Sequence, residues 1–122
     1  MGKKILIVDD EIDLVETIKF RLEAAGYDVV TAYDGQEALK KVRNEKPDLI
    51  LLDVMMPSVD GYQVCRMLKF DDKYRDIPII MLTARGQDKD RATGEEVGAD
   101  AYIAKPFDSK ILMAKIEEWL KS

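Results

Sequence analysis

The chain has 122 residues, 47% hydrophobic and 35% charged, a globular balance that suits one folded domain and contains no apolar run of membrane-spanning length. With no histidine and a single cysteine, Cys65, it can hold no Ser-His-Asp triad, no imidazole zinc site and no internal disulfide. That leaves carboxylates, hydroxyls and amines to carry any chemistry, and a net charge of −5 argues against direct nucleic-acid binding.

The first apolar run, Ile5 to Val8, is too short for a signal peptide and stops at Asp9-Asp10-Glu11, so the chain reads as cytoplasmic. Its unbroken branched character predicts a strand covered on both faces. Glu11 to Ala25 carries Ile12, Val15, Ile18 and Leu22 at helical spacing, with Gly26 as the stop. Val29 to Ala32 predicts a second strand, Gln36 to Arg43 a second helix ending before Pro47, and Leu49 to Leu52 a third strand. A loop with Pro57 and Gly61 leads to a helix over Tyr62 to Lys69, in which Cys65 is a small core residue. Ile79 to Leu82 follows as a strand, then Asp88 to Val97 as a poor helix, Ala101 to Ala104 as a short strand, and Ser109 to Leu120 as a closing helix. In that last helix Leu112, Ile116, Trp119 and Leu120 are the inward positions. Ile111 lies off their stripe and faces outward. The basic pairs Lys3-Lys4 and Lys40-Lys41 read as solvated faces. Five buried strands alternating with helices predict an α/β fold with a parallel sheet between two helical layers, in one domain over 1–122.

In such sheets, sites form beyond the carboxyl ends of the strands. The first run ends in Asp9-Asp10, the third in Asp53, the fourth in Thr83 and the fifth in Lys105. Each residue alone has an ordinary explanation, as a helix cap, a turn or a solvated charge. Together they put three carboxylates, a hydroxyl and an amine on one rim. Crowded like charges call for a cation among them, and all-oxygen donors suit Mg²⁺. A divalent cation beside a lysine has positive charge to spare for a phosphoryl group, which the nearest carboxylate can carry as an acyl phosphate.

These residues carry a resemblance. Ile-Val-Asp-Asp at 7–10, Leu-Leu-Asp-Val-Met-Met-Pro at 51–57 with Gly61, Leu-Thr-Ala at 82–84 and Lys-Pro-Phe at 105–107 resemble the receiver domains of bacterial two-component response regulators. The pattern is most similar to receivers of the winged-helix transcription-factor class. The resemblance implies a flavodoxin-like (βα)5 fold, doubly wound, with strand order 2-1-3-4-5. It implies Asp53 as phosphoacceptor, and Mg²⁺ held by Asp10, Asp53, the Met55 carbonyl and, through water, Asp9. It further implies that Lys105, Thr83 and the Ala84 N–H bind the phosphate, that Thr83 and Tyr102 form the switch, and that the bond before Pro106 is cis.

The implied function is a phosphorylation-controlled switch rather than a turnover enzyme. A sensor histidine kinase or phosphotransfer protein would be the donor. The output partner or domain would read the face made by the Asp88–Val97 helix, the fifth strand and the closing helix. The chain would be a stand-alone receiver or part of a longer regulator, and a monomer or weak dimer. Met55 and Arg85, at positions that tune phosphate lifetime in the family, offer no carboxylate or amide to orient water, so self-dephosphorylation is expected to be slow. On the face through which this class pairs, Arg91 and Asp100 match, but Ala101, Ile111 and Glu117 replace the usual acid, acid and base. Two alternatives belong to other classes: a Mg²⁺-dependent phosphatase, which usually wants a second acid where Met55 stands, and a small ligand-binding or interaction domain without phosphate chemistry, for which no glycine-rich phosphate loop is present.

Overall fold

The computed structural model describes residues 2–54, 56, 60–84 and 98–121. In chain order they form β1 (Lys4–Val8), α1 (Ile12–Ala24), β2 (Asp28–Ala32), α2 (Gly35–Glu45), β3 (Leu49–Asp53), α3 (Gly61–Lys69), β4 (Ile79–Ala84), β5 (Ala101–Lys105) and α4 (Ser109–Leu120). Every predicted element within this range is present, its ends moved by at most two residues. The strands gain most at their carboxyl ends, where Asp53, Thr83 and Lys105 are themselves strand residues. The predicted helix over Asp88 to Val97, together with Met55, Pro57, Arg85 and Arg91, lies outside the described residues.

The five strands form one parallel sheet in the order β2-β1-β3-β4-β5, the flavodoxin-like doubly wound arrangement. The two-residue period of a strand divides its side chains between two cores. Leu6, Val8, Ile50, Leu52, Ile79 and Met81 pack with α2 and α3, through residues such as Val42, Val64 and Cys65. Ile5, Ile7, Leu49, Leu51, Ile80, Leu82 and Ile103 pack with α1 and α4, through Val15, Ile18, Leu22, Leu112 and Ile116. Burying a branched side chain of this kind contributes about 1.5–3 kcal/mol, so this double-sided burial holds the sheet rigid under the rim.

Ile12, the first of the apolar residues at helical spacing in α1, is 61% exposed. At 100° per residue it stands about 90° from the centre of the Val15, Ile18 and Leu22 stripe, on the first turn of the helix. Ile111 is exposed, as its phase predicted, while Trp119 and Leu120 are half-buried against the second core.

Local chemistry sets the helix ends. The Asp34 carboxylate accepts the Glu37 N–H at 2.8 Å, and Asp60 and Gln63 form a reciprocal capping box at the start of α3. Asp108 accepts the Lys110 N–H at the start of α4. Helix α1 is followed by Gly26 at φ 95°, and α2 ends on Lys46, a non-glycine residue in the left-handed region at φ 48°.

Candidate functional site

The order of strands reverses between β1 and β3, which puts the ends of these two strands side by side at the switch point. Asp9 and Asp10 follow β1 directly, and Asp53 closes β3. One carboxylate oxygen from each of Asp9, Asp10 and Asp53 falls within a 4.8 Å cluster. Asp9 is fully buried, Asp53 is buried, and Asp10 is exposed, so the cluster has two desolvated charges and one open to solvent.

Neighbouring strands complete the rim. Asp53 pairs with Leu82 across the sheet, Thr83 with Ala104 and Ala84 with Lys105. Strand alternation sends Asp53 and Lys105 toward the α1 and α4 face, while Thr83 shares the opposite face with Met81 and Tyr102. Thr83 is buried. Tyr102 is half-buried and packs against the α2 and α3 core. The Lys105-Pro106 bond is cis, as the resemblance implied.

Lys105 is the electrostatic centre of the site. Its Nζ donates to Asp9 Oδ2 at 2.8 Å and to Glu11 Oε1 at 3.1 Å, and lies 3.3 Å from Asp53 Oδ1. Burial works against its charge, but the Asp9 hydrogen bond, the charges of Asp53 and Asp9, and the Glu11 hydrogen bond outweigh it and hold Lys105 above the ordinary lysine range. The other oxygen of Asp9 accepts the Glu11 N–H at 3.0 Å, which fixes the turn from β1 into α1. Glu11 is the helix N-cap, yet its side chain makes no capping bond because it reaches Lys105 instead.

Gly61 is the motif residue whose role the packing makes plain. Its N–H donates to the Val54 carbonyl at 2.9 Å, and a β-carbon there would collide with the Asp53 carbonyl. Only a glycine lets α3 start directly against the end of β3.

Among the predicted site residues, Asp9, Asp10, Asp53 and Lys105 come together directly, with Thr83 and Ala84 on the adjoining strand end. Met55 lies outside the described residues. Sequence reasoning missed the contact of Glu11 with Lys105, reading Glu11 as the end of an apolar run and the start of a helix; an acid beside the Asp9-Asp10 pair was the available signal. It also missed the second role of Asp100. Its carboxylate bonds Lys69 Nζ at 2.6 Å and accepts the Ile79 N–H at 2.8 Å.

The donors suit a hard cation: three carboxylates, two of them buried, converge where one lysine cannot balance them. Among the described residues no helix is long and apolar enough to cross a membrane.

Residues 5–117 match the family model described as Response regulator receiver domain. The alkaline phosphatase synthesis transcriptional regulatory protein PhoP of Bacillus subtilis is 49% identical over 121 residues, covering 99% of this chain and 50% of that protein. The probable transcriptional regulator ycf27 of Cyanophora paradoxa is 55% identical over 119 residues, 98% of this chain and 48% of that one. The chain therefore spans about half the length of the curated relatives it matches. Among solved structures, the receiver domain of sensor histidine kinase PA1611 from Pseudomonas aeruginosa is similar at a TM-score of 0.91 and 33% identity, with all of both chains covered. That structure has a magnesium ion coordinated in the active-site cleft.

Proposed function

The chain belongs to the response regulator receiver domain family, and from that premise we propose that it is a phosphorylation-activated switch, taking a phosphoryl group onto Asp53 and changing its partner contacts in response. The observation that supports this reading most is the convergence of Asp9, Asp10 and Asp53 with Lys105 on adjoining strand ends. In the reaction, a carboxylate oxygen of Asp53 attacks the phosphorus of a phosphohistidine. The new O–P bond forms as the P–N bond breaks, and the imidazole leaves with the bonding pair and takes up a proton. Lys105, already 3.3 Å from Asp53, offers an N–H to a phosphoryl oxygen in a charge-assisted bond. Thr83 and the Ala84 N–H, on the next strand end, are the further donors.

Asp9, Asp10 and Asp53 would hold Mg²⁺, with the Met55 carbonyl as a further ligand, and the ion would supply positive charge against the crowded carboxylates and the incoming phosphoryl group. Movement of Thr83 toward the phosphate opens space on the face it shares with Tyr102, and that coupling carries the signal to the β5 surface. The donor is a sensor histidine kinase or phosphotransfer protein, met in the cytoplasm. Residues 1–122 act as one receiver unit, monomeric or weakly dimeric, with an output partner or domain beyond it and neither nucleic acid nor membrane as its direct target.

Intact mass after incubation with Mg²⁺ and a small acyl-phosphate donor tests the proposal. One added phosphoryl group, dependent on Mg²⁺ and lost in Asp53→Ala, is the expected result. No adduct, and no binding of beryllofluoride either, would reduce the chain to a receiver-shaped interaction domain.

A further inference from the structure

Lys105 has three N–H donors and faces three carboxylates. Asp9 and Asp53 belong to the cation cluster; Glu11 does not. Glu11 is therefore the one partner of Lys105 that stays with the lysine when the other two turn to a metal ion. It is also the solvent-side partner, its side chain 62% exposed where that of Asp9 is fully buried. Its backbone is tethered to the site as well, since the Glu11 N–H donates to Asp9 Oδ1. Glu11 thus holds Lys105 from the solvent-exposed side of the rim. Beside it a shallow groove, lined by Glu11, Leu14, Lys105, Pro106 and Phe107, opens onto the same lysine.

We propose that Glu11 is a positioning residue that competes with the phosphoryl group for Lys105, occupying one ammonium donor in the resting state and adding a negative charge at the entrance. The inference rests on the receiver reading above. Its physical consequence has two signs. Neutralising Glu11 frees a Lys105 donor and removes a repelling charge, so an anionic phosphoryl mimic binds more tightly. The same change weakens Mg²⁺ binding, because the site loses negative charge and Lys105 presses more firmly on Asp9 and Asp53. A residue that merely held the fold together would weaken both.

The variant is Glu11→Gln, which keeps the side-chain shape and length. Mg²⁺ affinity is measured by calorimetry on the free protein. Beryllofluoride affinity is then measured at saturating Mg²⁺, and Asp53→Ala serves as the non-binding control. An exposed ion pair of this kind is worth up to about fivefold in an equilibrium constant. The expected result is beryllofluoride binding tightened by about two- to fivefold, with Mg²⁺ binding weakened by a similar factor. Unchanged beryllofluoride affinity, or both affinities falling together, overturns the role of Glu11 while leaving the receiver reading intact. A wild-type chain that binds neither Mg²⁺ nor beryllofluoride overturns both.

Discussion

Replacing Lys105 with methionine keeps an unbranched side chain, one atom shorter, and removes its charge. Two carboxylates, Asp9 fully buried and Asp53 nearly so, then lose the cation that faces them at 2.8 and 3.3 Å. Unit charges about 4 Å apart attract by about 4 kcal/mol at an effective dielectric constant of 20. Much of that is offset by the cost of desolvating the charges, but removing one partner leaves the cost without the attraction, a net loss of about 3–5 kcal/mol. The exposed Glu11 contact adds at most about 1 kcal/mol. Unfolding entropy of about 2.1 cal/mol/K per residue makes 1 kcal/mol worth about 4 °C in a chain of this size, so Tm should fall by about 12–20 °C. Thermal melts followed by circular dichroism measure this directly, and Mg²⁺ should recover part of the loss. The pH dependence has a definite sign. Lys105 titrates above its ordinary value of 10.5, so its contribution is complete below that pH and disappears only as pH rises through the higher folded value. The gap between wild type and variant should stay constant from about pH 6 to 9 and close only in strong alkali. A fall in Tm of less than about 4 °C, or a gap that narrows within the neutral range, would refute the reasoning.

Gly61→Ala drives a β-carbon into the Asp53 carbonyl and should cost about 1–3 kcal/mol, read as a lower urea midpoint; a variant as stable as wild type would show that β3 and α3 can part without penalty. Burial pushes the Cys65 thiol up to about 12, so native protein at pH 8 should react with an aromatic disulfide at least about a hundredfold more slowly than urea-unfolded protein, and equal rates would contradict its core position. Lys46→Gly relieves a left-handed residue at the end of α2 and should raise stability by about 0.5–1 kcal/mol; an unchanged or lower denaturation midpoint would count against strain at that residue.

The parts of the fold that could be read in advance are those governed by short-range periodicity. Continuous branched runs such as Leu49 to Leu52 have one comfortable setting, a strand buried on both faces. Ile12 belongs to the apolar spacing of α1 yet is exposed, since helical phase alone does not say where the sheet beneath the helix ends. Contacts between distant residues were less legible still. Lys69 and Asp100 are 31 positions apart and join the end of α3 to the start of β5, which no local pattern announces. Glu11 reaches Lys105 across 94 positions, and its sequence context looks like an ordinary helix start. Gly61 could be noticed as a motif residue, but its reason, the approach of α3 to the Asp53 carbonyl, exists only in three dimensions.

Two largely enclosed lysines, Lys69 and Lys105, show why the carboxyl rim, and not the opposite end of the sheet, is suited to exchange of partners. Lys69, its side chain only 10% exposed, bonds one carboxylate, that of Asp100, and the neutral carbonyls of Arg75 and Ile77. Its charge is matched one to one, and the carbonyls belong to backbone that cannot leave. Breaking that set would strand a buried ion pair, so it acts as a fixed joint between α3, β4 and β5. Among the described residues, Lys105 is held by three carboxylates and no carbonyl. One positive charge against three negative ones leaves an excess that an arriving cation relieves, and every partner of the lysine is a side chain that can turn away. On the proposed function, charge imbalance combined with replaceable partners would let the rim exchange its contacts for a cation and a phosphoryl group, while the Lys69 joint keeps the base of the same strands in register.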